Sequence, residues 1–147
     1  MDLAAYLGKA ATAWFLGFFP FFEIYVAVPS ALALGLDPAS AVLWPVLGNF
    51  APVPLILFGY EQLMRVGAFR RLLGGRTSAR FTHLVERYGA PFVLLITPWI
   101  GVWLVAATAR ALGMARRPLL FYALLSITVY AVVITAGLNL GFEALGG

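Results

Sequence analysis

Glu23 is the residue best placed to do chemistry in this chain. It lies inside an apolar stretch, Ala10–Leu36, three residues past Pro20. A carboxylate at the centre of a bilayer costs about 2.5 kcal/mol or more on insertion scales, so such groups mark ion or substrate pathways. A carboxyl that takes up and releases a proton at that depth can couple transport to a proton gradient. The plainer role is a neutral, hydrogen-bonded acid that caps exposed backbone amides. Arg110 also lies in an apolar run. It can reach an anionic substrate or Glu23, or it can snorkel to the nearby interface. Asn49 and Thr97, like Ser126, Thr128 and Asn139, are suited to lining a polar path or to joining helices by hydrogen bonds. Tyr25, Trp99 and Trp103 suit a path for an apolar or amphipathic substrate, while Trp14 and Trp44 suit interface anchors.

Other chemistries lack their parts. The chain has no Cys and a single His, which removes disulfides, thiolate metal sites and two-histidine metal spacings. No Gly-rich phosphate loop and no nucleophile–base pair stands out. The expectation is a non-enzymatic protein with no catalytic residues, no metal and no cofactor. Two alternatives remain open: a membrane enzyme acting on lipid phosphates, and a non-catalytic assembly partner that docks through the basic linker. His83, within that linker, reads as a solvated side chain.

The solvent follows from composition. Of the 147 residues 63% are hydrophobic and 11% charged, with a mean hydropathy of +0.94. Soluble domains carry about 25% charged residues, so the chain reads as one integral membrane domain. The formal charge of +4 comes from basic residues beside apolar spans, which points to topology and not to nucleic acid. Lys9 before an apolar run resembles an export signal. The run is long for one, however, and contains Pro20 and Glu23, so it reads as mature structure.

The elements that would hold Glu23 come in a repeating pattern. Adding 78 to each position of Pro20–Gly59 returns a similar pattern at Pro98–Gly137. Pro20 falls on Pro98, Tyr25 on Trp103, Ser30 on Thr108 and Gly35 on Gly113. Four apolar segments result, Ala10–Leu36, Ala39–Tyr60, Pro91–Met114 and Pro118–Leu140. The second and fourth have the ~20 residues a membrane span requires. The first and third carry a proline near the middle, which suits re-entrant hairpins with tips around Pro20 and Pro29, and around Pro98 and Gly101. Four full spans would split the arginines between the two sides. Hairpins place all nine on one side, leaving Lys9 opposite. Pro45, Pro52 and Pro54 are expected to kink the second segment near Gly48 and Asn49.

The expected fold is therefore an all-α integral membrane protein with inverted-topology repeats. Each repeat is a re-entrant helical hairpin plus a transmembrane helix. Repeat 1 covers about 10–60 and repeat 2 about 88–140. Between them lies a cytoplasmic, basic, amphipathic linker at 61–87, read as two short helices with a break at Gly74-Gly75. The termini face outward, with a surface-lying helix over residues 1–9 as an option. Such repeats bind substrate and coupling ion where they meet. The expected location is the cell membrane, the expected partners are membrane lipids and a lipid-like or amphipathic small molecule, and a homodimer is expected through small residues such as Gly48, Gly59, Gly137 and Gly141.

Two stretches carry a resemblance. The run Pro20-Phe21-Phe22-Glu23-Ile24-Tyr25-Val26-Ala27-Val28-Pro29-Ser30-Ala31-Leu32-Ala33-Leu34-Gly35 resembles the Pro-x-x-Glu…Ala-x-Pro…Ala-Leu-Gly block of the small multi-drug export protein family, related to the DedA (SNARE-associated, VTT-domain) superfamily. Thr97-Pro98-Trp99-Ile100-Gly101-Val102-Trp103 through Leu112-Gly113-Met114 is similar to its later block. The resemblance implies paired re-entrant helices and ion-coupled movement of lipids or lipid carriers, with Glu23 in the acidic role. The arginines that DedA proteins carry after their second hairpin proline are replaced by Trp99, Gly101 and Trp103. An alternative within transport is a four-helix small multidrug exporter with four full spans.

Overall fold

A computed structural model describes residues 2–74 and 79–146. Its regular structure is helical: α1 (Leu3–Phe18), α2 (Glu23–Ala33), α3 (Pro38–Phe50), α4 (Pro52–Arg65), α5 (Gly67–Gly74), α6 (Ala79–Tyr88), α7 (Ala90–Ile100), α8 (Val102–Ala111) and α9 (Arg116–Gly146). Among the described residues there is no strand. The linker contributes α5 and α6; Gly75 and Arg76, expected at and after its break, lie outside the described residues.

Each boundary has a local cause. The Asp2 carboxylate accepts a hydrogen bond from the Ala5 amide at 2.7 Å and so opens α1. Leu3–Lys9 thus belong to α1, which continues without a break to Phe18. At the far end Pro20 lacks an amide hydrogen, and α1 stops at Phe18. The break is a tight turn in which the amides of Phe22 and Glu23 both donate to the Phe19 carbonyl, at 3.2 and 3.4 Å. Pro29 lies inside α2 rather than in this break.

The ends of α2 and α8 are built alike. Leu34, Gly35 and Leu36 donate to Ser30, Leu32 and Ala31. Leu112, Gly113 and Met114 donate to Thr108, Arg110 and Ala109, the same pattern 78 residues on. Gly35 at φ +78° and Gly113 at φ +75° supply the left-handed residue that this helix stop requires.

Two runs are long and apolar enough to cross a membrane, Pro38–Arg65 with 28 residues and Arg116–Gly141 with 26. At ~1.5 Å per residue either exceeds a ~30 Å hydrocarbon core. The first run is interrupted at Ala51, where Pro52 and Pro54 withhold their donors, while Pro45 stays inside α3. Large apolar side chains stand exposed on these runs, among them Phe58, Phe121, Val133 and Leu140. Lipid is the solvent that tolerates such a surface.

The chain divides into two compact units, Met1–Asn49 with Ile127–Gly147, and Phe50–Ser126. In the first, α1 packs on α2, with Ala13, Ala31, Leu36 and Ala41 forming a buried cluster covered by Tyr6, Leu32 and Trp44. The Tyr6 hydroxyl joins α1 to α3, accepting from the Trp44 indole at 3.0 Å and sharing a hydrogen bond with Ser40 at 3.0 Å. Deeper in, Gly17 and Gly48 bring the two helices into backbone contact: a Cβ on Gly17 would stand 3.0 Å from the Asn49 nitrogen. One on Gly48 would collide with the Trp14 carbonyl. Gly48, expected at a dimer contact, is thus occupied within the chain, whereas Gly137 and Gly141 face open space. In the second unit α8 lies against α4, with α7 also packed on α8. The buried side of α8 carries Val102, Trp103, Val105 and Ala106, and that of α4 carries Val53, Ile56 and Leu57.

Candidate functional site

Glu23 opens α2 with φ +48°, and among the described residues no other non-glycine has a positive φ. Holding a side chain in this left-handed region costs about 1 kcal/mol or more. Gly101, 78 residues on, sits in the break between α7 and α8 at φ +101° and ψ +138°, a conformation open essentially to glycine. The two breaks therefore turn at the same register, one on glycine and one on glutamate. Glu23 is half-buried, and Tyr25 lies within electrostatic reach of it and of Tyr130. Around the turn the rings of Phe15, Phe19, Phe21 and Phe22 form an aromatic cluster, with Phe19 at 5.6–5.9 Å from the other three.

The second break lies past its proline. Pro98 is buried inside α7, and the chain turns at Gly101, whose amide donates to the Thr97 carbonyl at 2.9 Å. Thr97 and Trp103 are buried, at 2% and 3% exposure, whereas Trp99 is 74% exposed. Trp103 is therefore shielded from solvent and Trp99 stands exposed. Asn49 is buried beside Gly17, and its Oδ1 has no hydrogen-bond partner. An orphaned buried acceptor of this kind costs about 1–3 kcal/mol.

Arg110 stands elsewhere, in the last turn of α8. Together with Tyr60, Glu61 and Gln62 from the end of α4, and Arg116 from the start of α9, it lines a cavity of about 150 Å³ within the second unit. Its Nε is buried without a partner. Arg116 is held over the Phe58 ring, 5.3 Å from the centroid, a cation–π geometry. Sequence reasoning had singled out Arg110 but not Glu61 or Gln62. The available signal was three polar residues, Tyr60, Glu61 and Gln62, directly after an apolar span, where a headgroup-level site is expected.

Taken together, the helical architecture, the two apolar spans and the exposed apolar surface describe a small helical membrane protein. The model of the family described as "Putative small multi-drug export protein" matches residues 23–133, and the chain belongs to that family. The match begins at Glu23 itself and takes in the whole Arg110 cavity. Comparisons with curated proteins and with solved structures gave no match.

Proposed function

We propose that this protein is a non-enzymatic membrane exporter or translocase of lipid-like or amphipathic molecules, coupled to protons through Glu23. One observation carries the reading. A glutamate occupies a positive-φ position in an apolar stretch, at the register where the second break has glycine. Glycine would form that turn without strain, so the carboxyl is retained at a conformational cost, plus about 2.5–3.5 kcal/mol for its depth in lipid. Such costs persist where a residue acts. The matching helix stops at Gly35 and Gly113, and the matching breaks at Glu23 and Gly101, support a duplicated chain. In our reading its two hairpins enter the cell membrane from opposite faces, with the arginine-rich linker cytoplasmic and the protein acting as a homodimer. The family's description favours drugs among the amphipathic substrates.

The test uses vesicles reconstituted with the full chain, an entrapped pH dye, and either ethidium or a fluorescent phospholipid as probe. Substrate movement should follow an imposed pH gradient and release protons. Glu23→Gln should abolish that coupling while the protein still folds. Wild-type coupling in the Gln variant removes the proposal.

A further inference from the structure

The geometry points to a second site, for a phosphate group carrying an ammonium a few atoms away, in the cavity lined by Glu61, Arg110 and Arg116. Three features converge on that chemistry. Arg110 lines the cavity, and its guanidinium gives an oxyanion charge-assisted donors. Arg116, steered by the Phe58 ring, adds a second guanidinium on the same cavity. Glu61, with Gln62 and Tyr60 beside it, puts a carboxylate on the wall, which repels a simple anion and attracts an ammonium. The cavity measures about 150 Å³, well above the ~10–15 Å³ that a single water needs, so it admits a larger polar group.

The position selects where that group comes from. The cavity joins the C-terminal end of the Pro38–Arg65 run to the N-terminal end of the Arg116–Gly141 run. Both ends belong at the headgroup layer if these runs cross the membrane. A zwitterionic phospholipid headgroup, of the phosphoethanolamine kind, carries the required charges at that level. The same chemistry is available from a soluble phosphoamine. The site lies in a different compact unit from Glu23 and is tested by binding, so it stands or falls separately from proton coupling.

The full chain is placed in nanodiscs of mixed phosphatidylethanolamine and phosphatidylglycerol, and retained lipid is read by native mass spectrometry. Phosphatidylethanolamine should be enriched. Arg110→Gln should lower its retention about tenfold. Glu61→Gln, at an exposed position, should shift the preference toward phosphatidylglycerol. A second arm titrates O-phosphoethanolamine against inorganic phosphate: competition by the former alone supports the phosphoamine chemistry with a soluble source, and no competition with retained lipid preference assigns it to lipid. Unchanged lipid preference in Glu61→Gln, or unchanged retention in a folded Arg110→Gln protein, overturns the site.

Discussion

Glu23 and Gly101 stand 78 residues apart and share a positive φ, Glu23 as the first residue of α2 and Gly101 as the residue between α7 and α8. Only one of them has a side chain. This asymmetry lets conformation be separated from chemistry by substitution. Glu23→Gly should raise thermal stability by up to about 1 kcal/mol, since glycine adopts positive φ without a steric penalty. The same variant should lose proton-coupled flux. The converse change, Gly101→Ala, should destabilise by about 1–3 kcal/mol. Detergent-solubilised melting curves beside vesicle flux measure both.

The contact between α1 and α3 allows a matched comparison of glycines. Gly48→Ala drives a methyl into the Trp14 carbonyl and should cost more than about 2 kcal/mol, because backbone cannot move aside as a side chain can. Gly137→Ala, on a helix facing open space, should be neutral or stabilise by up to about 1 kcal/mol through helix propensity. Thermal unfolding of the two variants under the same conditions checks the contrast.

Acid should loosen the start of α3. The Asp37 carboxyl accepts from the Ser40 amide at 3.0 Å, and its hydrogen bonds with Ser40 hold its pKa below the usual aspartate value. A depressed carboxylate contributes stability that is present above the unfolded-state pKa and is lost as pH falls through the folded one. Asp37→Ala should therefore melt below wild type at neutral pH. The two curves should converge once the pH is below the ordinary aspartate range.

Topology separates hairpins from four full spans. Single cysteines replacing Arg70, Arg116 and Asp37 are each placed in the otherwise cysteine-free chain and labelled with a membrane-impermeant maleimide in intact cells. With hairpins, positions 70 and 116 share the protected side and position 37 labels from outside. With four full spans, positions 70 and 116 label from opposite sides.

Much of this organisation was legible because prolines and glycines act locally. Pro20 announces the end of α1, and Gly35 and Gly113 announce two helix stops, since each residue constrains its own backbone whatever surrounds it. Of the two residues expected at the second tip, the break falls at Gly101 and not at Pro98. A proline is tolerated within an apolar helix such as α7, whereas the glycine after it is free to adopt the turn. The site residues divide along the same line. Glu23 was visible because a charge in an apolar run is conspicuous. The cavity around Arg110 was not, because its other members come from the ends of α4 and α9, which only tertiary packing assembles. Gly48 was read as an intermolecular contact because small residues mark close approach without naming the partner, which here is α1 of the same chain.

Where Gly17 and Gly48 let main chain touch main chain, no layer of flexible side chains remains to absorb sliding. A shift of either helix along the other would drive backbone atoms into steric overlap, so this contact locks the register of α1 on α3.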